Sequence, residues 1–194
     1  MRSPSVLRII FLVHLATAKA SSDLTDSAAG QTSAPLSIKQ FLNTTDPIWT
    51  YNSTENTTIL CKVDQKIGIT NESYSFNWSY YSGYLNWTVR NGQGTFESAD
   101  TVQLNITLQE YNETLLFTDN YNSCAIIRVT PVNPGSDSWY EHLVKNSSIT
   151  RRKNKNCTNF FRKNTTSKGR KVYRSRCLHM LNVGKATYSR WELH

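Results

Sequence analysis

The sequence predicts a mainly β domain, an antiparallel barrel or sandwich of about eight strands. Three observations carry this. Apolar and polar residues alternate with period two through most of residues 48–144, the pattern of half-buried strands. Turn-forming residues separate the alternating runs at roughly ten-residue spacing. Asn-x-Ser/Thr acceptor sites fall on the polar parity of three of these runs, and a hydrated glycan must point outward.

The elements follow in order. Arg2 and Arg8, an apolar stretch at 9–16 and the small-x-small run Ala18-Lys19-Ala20 read as a secretory signal peptide over 1–20. Residues 21–35 are small and polar, a flexible leader. After Pro35, the spacing of Leu36, Phe41 and Leu42 predicts a short helix within 36–43. Strands are expected at 48–53, 58–67, 74–81, 84–90, 101–108, 114–118, 124–130 and 138–145, with turns at Ser82-Gly83 and Asn91-Gly92-Gln93-Gly94.

The glycan argument assigns faces. Asn77 outside puts Phe76 and Trp78 inside; Asn86 outside puts Leu85 and Trp87 inside; Asn105 outside puts Leu104 and Ile106 inside. With Asn146 outside, Trp139, Glu141 and Leu143 face inward. A carboxylate among aromatics needs a partner, since an unpaired buried charge costs several kcal/mol. Either an internal group, such as Arg128 or a tyrosine hydroxyl, or a cationic ligand would supply it.

Eleven acceptor tripeptides occur. Ten are expected glycosylation sites: Asn43, Asn52, Asn56, Asn71, Asn77, Asn86, Asn105, Asn112, Asn146 and Asn164. The eleventh, Asn156, has Cys157 as its middle residue, where a disulfide would hinder the acceptor. Four cysteines in an oxidising compartment imply two disulfides among Cys61, Cys124, Cys157 and Cys177, and spacing leaves all three pairings open.

No run of about 18 apolar residues is present to cross a membrane as a helix. The four histidines, including His142 and His179, show no nucleophile, base and orienter arrangement, and no glycine-rich phosphate loop occurs. An enzyme is therefore not expected, and neither a metal nor a cofactor is called for. The formal charge of +8 is unevenly spread. Residues 21–150 carry 6 basic and 13 acidic side chains, whereas 151–194 carry 13 basic ones and a single acid, Glu192. The basic stretch over 151–176 is either a solvated, solubilising face or a docking surface for sulfated glycosaminoglycan, an anionic membrane surface or a protein partner. A nucleic-acid partner does not suit a secreted glycoprotein.

The run Asp46-Pro47-Ile48-Trp49, the Cys61 strand, Cys124-Ala125-Ile126-Ile127, Trp139-Tyr140-Glu141 and then Cys157 and Cys177 resemble, in this order, the tick salivary lipocalins of the histamine-binding type. The resemblance spans about residues 36–177. It implies an eight-stranded up-and-down lipocalin barrel over 36–180, with a short N-terminal helix, a C-terminal helical segment and a tail at 181–194. It also implies the disulfides Cys61–Cys177 and Cys124–Cys157, secretion, and a monomer that sequesters a biogenic amine such as histamine or serotonin and so modulates host inflammation. Eicosanoids and related lipids are the alternative ligands. The residues it assigns to the ligand are Asp46, Trp49 and Glu141, and inward parity adds Trp87 as an aromatic wall. The family's tyrosine three positions before the aspartate is Asn43 here, and no carboxylate lies between Glu72 and Glu97 to supply the middle-strand partner.

Overall fold

The computed structural model describes residues 35–82, 87–133, 135–150, 154–165 and 169–182. The expected signal peptide and leader up to residue 34, Gly83 of the expected turn, Leu85, Asn86, Arg151, Arg152, Lys153, Lys168 and the tail from 183 lie outside them.

Eight strands close into an antiparallel barrel: β1 (Ile48–Ser53), β2 (Leu60–Ile69), β3 (Ser73–Tyr81), β4 (Trp87–Phe96), β5 (Thr101–Ile106), β6 (Gln109–Thr118), β7 (Cys124–Pro131) and β8 (Trp139–Lys145). Each strand pairs with its successor, and β1 closes the ring by pairing with both β8 and β2. Beyond Trp49, β2 diverges from β1, and the freed edge at Asn52 and Ser53 is taken by β9 (Arg170–Lys171). The chain thereby covers an edge that would otherwise be left unpaired.

One end of the barrel is plugged and the other is open. The plug is α1 (Ile38–Leu42), capped by the Ser37 hydroxyl, which accepts from Gln40 N–H. Its Ile38, Phe41 and Leu42 are buried in the same core as Tyr74, Phe76, Val102, Leu104 and Leu115. The Ile38 N–H donates to the Ala99 carbonyl between β4 and β5, and the Ser37 N–H donates to the Tyr121 hydroxyl, so the helix is tied to loops at that end.

The second structural layer is outside the barrel. α2 (Asn146–Ile149) follows β8 directly. α3 (Lys155–Asn164), capped by Asn154, lays Cys157 and Phe161 over the outer face of β7 and β8, against Cys124, Ile126 and the ring of His142. This explains why Cys124, Ala125, Ile126 and Ile127 are all buried in succession, since their strand has cover on both faces. Residues 177–182 are helical, and with Val172 and Tyr173 they cover Trp49, Tyr51 and Val63 on the adjoining outer wall of β1 and β2. Each layer is fastened by a disulfide: Cys124–Cys157 for α3 and Cys61–Cys177 for the C-terminal segment.

The expected turn at Asn91-Gly92-Gln93-Gly94 is instead the middle of β4. Gly92 lies opposite Phe76, and a Cβ there would fall 2.3 Å from the Phe76 ring. The glycine makes room for an aromatic side chain inside the barrel rather than bending the chain. The chain instead passes from β4 to β5 at residues 97–100, and the strand expected over 101–108 ends at Ile106, because Thr107 and Leu108 both have positive φ and form the two-residue turn of the β5–β6 hairpin.

Candidate functional site

Strand alternation decides what lines the open end. In β2, Cys61 and Val63 pack outward against Trp49 and Cys177, so Lys62 and Asp64 point into the barrel. In β6, Tyr111, Glu113 and Leu115 point inward, as do Trp139, Glu141 and Leu143 in β8 and Trp78 in β3. These side chains leave a cavity of about 150 Å³, walled by Lys62, Asp64, Trp78, Tyr111, Glu113 and Trp139. Leu104, Ile106 and Val129 complete its wall, and Glu55 and Gln109 stand at the mouth.

Three carboxylates and one ammonium are thus collected in a small volume. Glu141 is 1% exposed and fully engaged. Its Oε1 accepts from Lys62 Nζ at 2.6 Å and from Trp139 Nε1 at 2.8 Å, and its Oε2 accepts from the Thr50 hydroxyl at 2.9 Å. Lys62 Nζ also lies 5.8 Å from the centre of the Trp78 ring, within cation–π reach. Burial by itself would lower the Lys62 pKa, but the carboxylates of Glu141, Glu55 and Glu113 outweigh it and hold the ammonium charged, well above the usual lysine range.

Asp64 and Glu113 have no such partner among the described residues. Asp64 Oδ1 is buried without a hydrogen bond among the described residues, and so are the Trp78 indole N–H and the Tyr74 hydroxyl. Burial pushes the Asp64 carboxyl up to about 7, with Lys62 opposing and Glu141 adding to the rise. Burial, then the neighbouring Asp64 and Glu141, push Glu113 up to about 8. Buried polar groups are normally satisfied, so an unpartnered acceptor and an unpartnered donor facing one cavity fit a ligand that supplies a donor at one end and an acceptor at the other.

A raised carboxyl carries a signed consequence. The native state keeps a proton on Glu113 at a pH where the unfolded chain, near pKa 4.3, has released it, so stability is lost as pH rises through the folded value. Glu113→Gln removes that loss. Its stability relative to the parent is expected to rise between about pH 5 and pH 8, by at most ~1.4 kcal/mol per pH unit. Urea denaturation at the two pH values checks this; parallel shifts at both would contradict it.

The ligand residues expected from the sequence are distributed differently. Glu141 faces inward, but its partner is Lys62 and not Arg128, which is exposed at the surface. Trp49 is fully buried on the outer face of β1, because Ile48 and Thr50 take the inner one. There its indole N–H donates to the Asn146 side chain at 2.9 Å, and its ring meets Tyr173 edge-on. Asp46 lies before β1, away from the cavity lining, and its Oδ2 accepts from the Ser147 N–H at the start of α2. Trp87 is paired with Tyr81 at the end of the β3–β4 ladder and packs against the outer cluster of Trp49, Cys61 and Cys177. Phe76 and Gly92 occupy the inner face of that ladder, and an unbroken register from Gly92 back to Trp87 carries the tryptophan to the other side.

Sequence reasoning missed Lys62, Asp64 and Glu113. The signals were present. A cysteine bonded to a segment outside the barrel faces outward, which turns Lys62 inward. The acceptor site at Asn112 turns Glu113 inward by the parity already applied to Asn77.

Two further features bound the chemistry. Cys124, His142 and Cys157 converge, but the two sulfurs are bonded to each other and offer no thiolate to a metal. The mouth adds Glu55, Glu110 and Asp137 to the acidic interior, a field that attracts cations.

Comparison with known proteins agrees with this architecture. A family profile described as tick histamine binding protein matches residues 52–179. The crystal structure of AM182 in complex with serotonin is similar at a TM-score of 0.56 and 20% identity, covering 74% of this chain and 93% of that one. Apocrustacyanin C1 (TM-score 0.53, 12% identity, 71% and 79% covered) and lobster apocrustacyanin A1 (0.52, 15%, 71% and 79%) share the fold. No curated protein sequence matches the chain.

Proposed function

The chain belongs to the tick histamine-binding protein family, and from that premise we propose that it captures one small aromatic amine, of the histamine or serotonin kind, inside the barrel. The observation that carries this reading is the pair Asp64 and Glu113, two carboxyls that form no ion pair among the described residues and face an aromatic-walled cavity. A protonated amine supplies the missing cation through charge-assisted hydrogen bonds. Trp78, Tyr111 and Trp139 offer its ring apolar area. The Trp78 N–H is free to donate to a hydroxyl or ring nitrogen at the ligand's far end.

The size and charge of the cavity favour an amine over a lipid. About 150 Å³ is well under the ~300–1,000 Å³ of typical drug-sized sites, and three carboxyls and a lysine at its walls and mouth do not suit an acyl chain. The reading extends to a secreted, glycosylated protein that sequesters a host mediator and damps inflammation, supported by the signal-like residues 1–20 and by exposed acceptor residues such as Asn43, Asn71 and Asn105. A second surface role, contact with a polyanion, is supported by exposed Lys155, Arg162 and Lys163 on α3.

Titration calorimetry with serotonin and histamine tests the reading. Glu113→Gln and Asp64→Asn are each expected to weaken binding by about 1.5–3 kcal/mol, the value of a hydrogen bond to a charged group. Affinities unchanged in both variants would remove the amine from this site.

A further inference from the structure

Resting on the amine reading above, we infer that Lys62 is the specificity-determining residue of the cavity: it stands in for a second ammonium and restricts the site to ligands carrying one positive charge. The geometry is that of a bound cation. Lys62 Nζ lies 2.6 Å from Glu141 Oε1 and 5.8 Å from the centre of the Trp78 ring, and its side chain is only 14% exposed. Those are the two contacts, a carboxylate and an aromatic face, that an amine would seek. Trp139 and Thr50 hold the Glu141 carboxylate in place from its other sides, so the acceptor is built rather than incidental.

Charge counting gives the consequence. Of the three inner carboxyls, Lys62 neutralises Glu141, leaving Asp64 and Glu113. Two like charges in one small cavity do not both ionise readily, and a single ammonium satisfies the pair. A second ammonium on the ligand would meet Lys62, and like charges at such range repel. Without Lys62, Glu141 and the face of Trp78 become a second cation site in the same cavity.

The test compares tyramine, a monoamine, with 1,5-diaminopentane by titration calorimetry. The parent protein is expected to bind tyramine one to one and the diamine at least ~10-fold more weakly. In Lys62→Met the preference is expected to reverse, with the diamine-to-monoamine ratio rising about 100-fold, the worth of a charge-assisted pair. Glu141→Gln keeps a neutral, hydrogen-bonding side chain and covers the case in which Lys62→Met does not fold. With Glu141 neutral, the Lys62 ammonium is free to turn to Asp64 and Glu113 and compete with the ligand. Tyramine affinity is expected to drop about 10-fold in Glu141→Gln and to recover in Lys62→Met/Glu141→Gln. A diamine-to-monoamine ratio left unchanged by Lys62→Met, or equal tyramine affinities in Glu141→Gln and the double variant, would overturn the assignment. A parent protein that binds neither amine would instead overturn the amine reading on which it rests.

Discussion

Replacing Lys62 by Met is expected to lower the unfolding free energy by about 3–5 kcal/mol, the cost of leaving one member of a buried ion pair uncompensated. Glu141 is 1% exposed, so water cannot take over the role of the missing ammonium. The remaining donors, Trp139 Nε1 and the Thr50 hydroxyl, are neutral and hydrogen-bond the carboxylate without balancing its charge. The loss belongs to the stranded charge and not to the pair as such, because two ions brought out of water gain little net energy from each other. Lys62→Met/Glu141→Gln is therefore expected to recover most of the stability. Guanidinium denaturation of the parent and both variants at neutral pH distinguishes the cases. A double variant as unstable as the single one would show that Lys62 contributes mainly by the packing of its alkyl chain.

Opening the Cys61–Cys177 bridge has an expected effect of similar size. The bridge spans 116 residues, and in the chain-entropy picture closing such a loop stabilises the native state by about 5 kcal/mol. It is also the clamp on the C-terminal segment that covers Trp49, Tyr51 and Val63. Cys61→Ala/Cys177→Ala is expected to lose about 4–5 kcal/mol in denaturant titrations, more than Cys124→Ala/Cys157→Ala, whose loop spans 33 residues. The reverse ranking would mean that α3, rather than the C-terminal segment, is the critical cover.

The barrel was legible because its signal repeats. Period-two alternation recurs from strand to strand, and inward assignments such as Phe76, Trp78, Leu104, Ile106 and Glu141 each rest on a local pattern. The site was less legible because it is built where the pattern inverts. In β2 the apolar residues Cys61 and Val63 face outward under the C-terminal segment while Lys62 and Asp64 face in, so hydrophobicity alone points the wrong way. Trp49 is a case of the same kind: a large aromatic at the start of a barrel strand reads as interior, yet it is buried by a layer outside the barrel. Such cover depends on residues more than a hundred positions away, which periodicity does not register. Gly92 was misread for a different reason. A glycine in a strand and a glycine in a turn look alike until the ring opposite is known, and here that ring is Phe76.

On the proposed reading, Lys62 decides the ligand class. Glu141 by itself would be an amine receptor, but it is already paired with Lys62, which leaves Asp64 and Glu113 for the charge of the proposed ligand.

The most direct measurement is a crystal structure of the protein grown with serotonin. The account predicts one serotonin in the barrel, its ammonium within hydrogen-bonding distance of Asp64 and Glu113, with Lys62 still on Glu141. An ammonium bound to Glu141 with Lys62 displaced, or serotonin seated against Asp46 and Trp49, would contradict it.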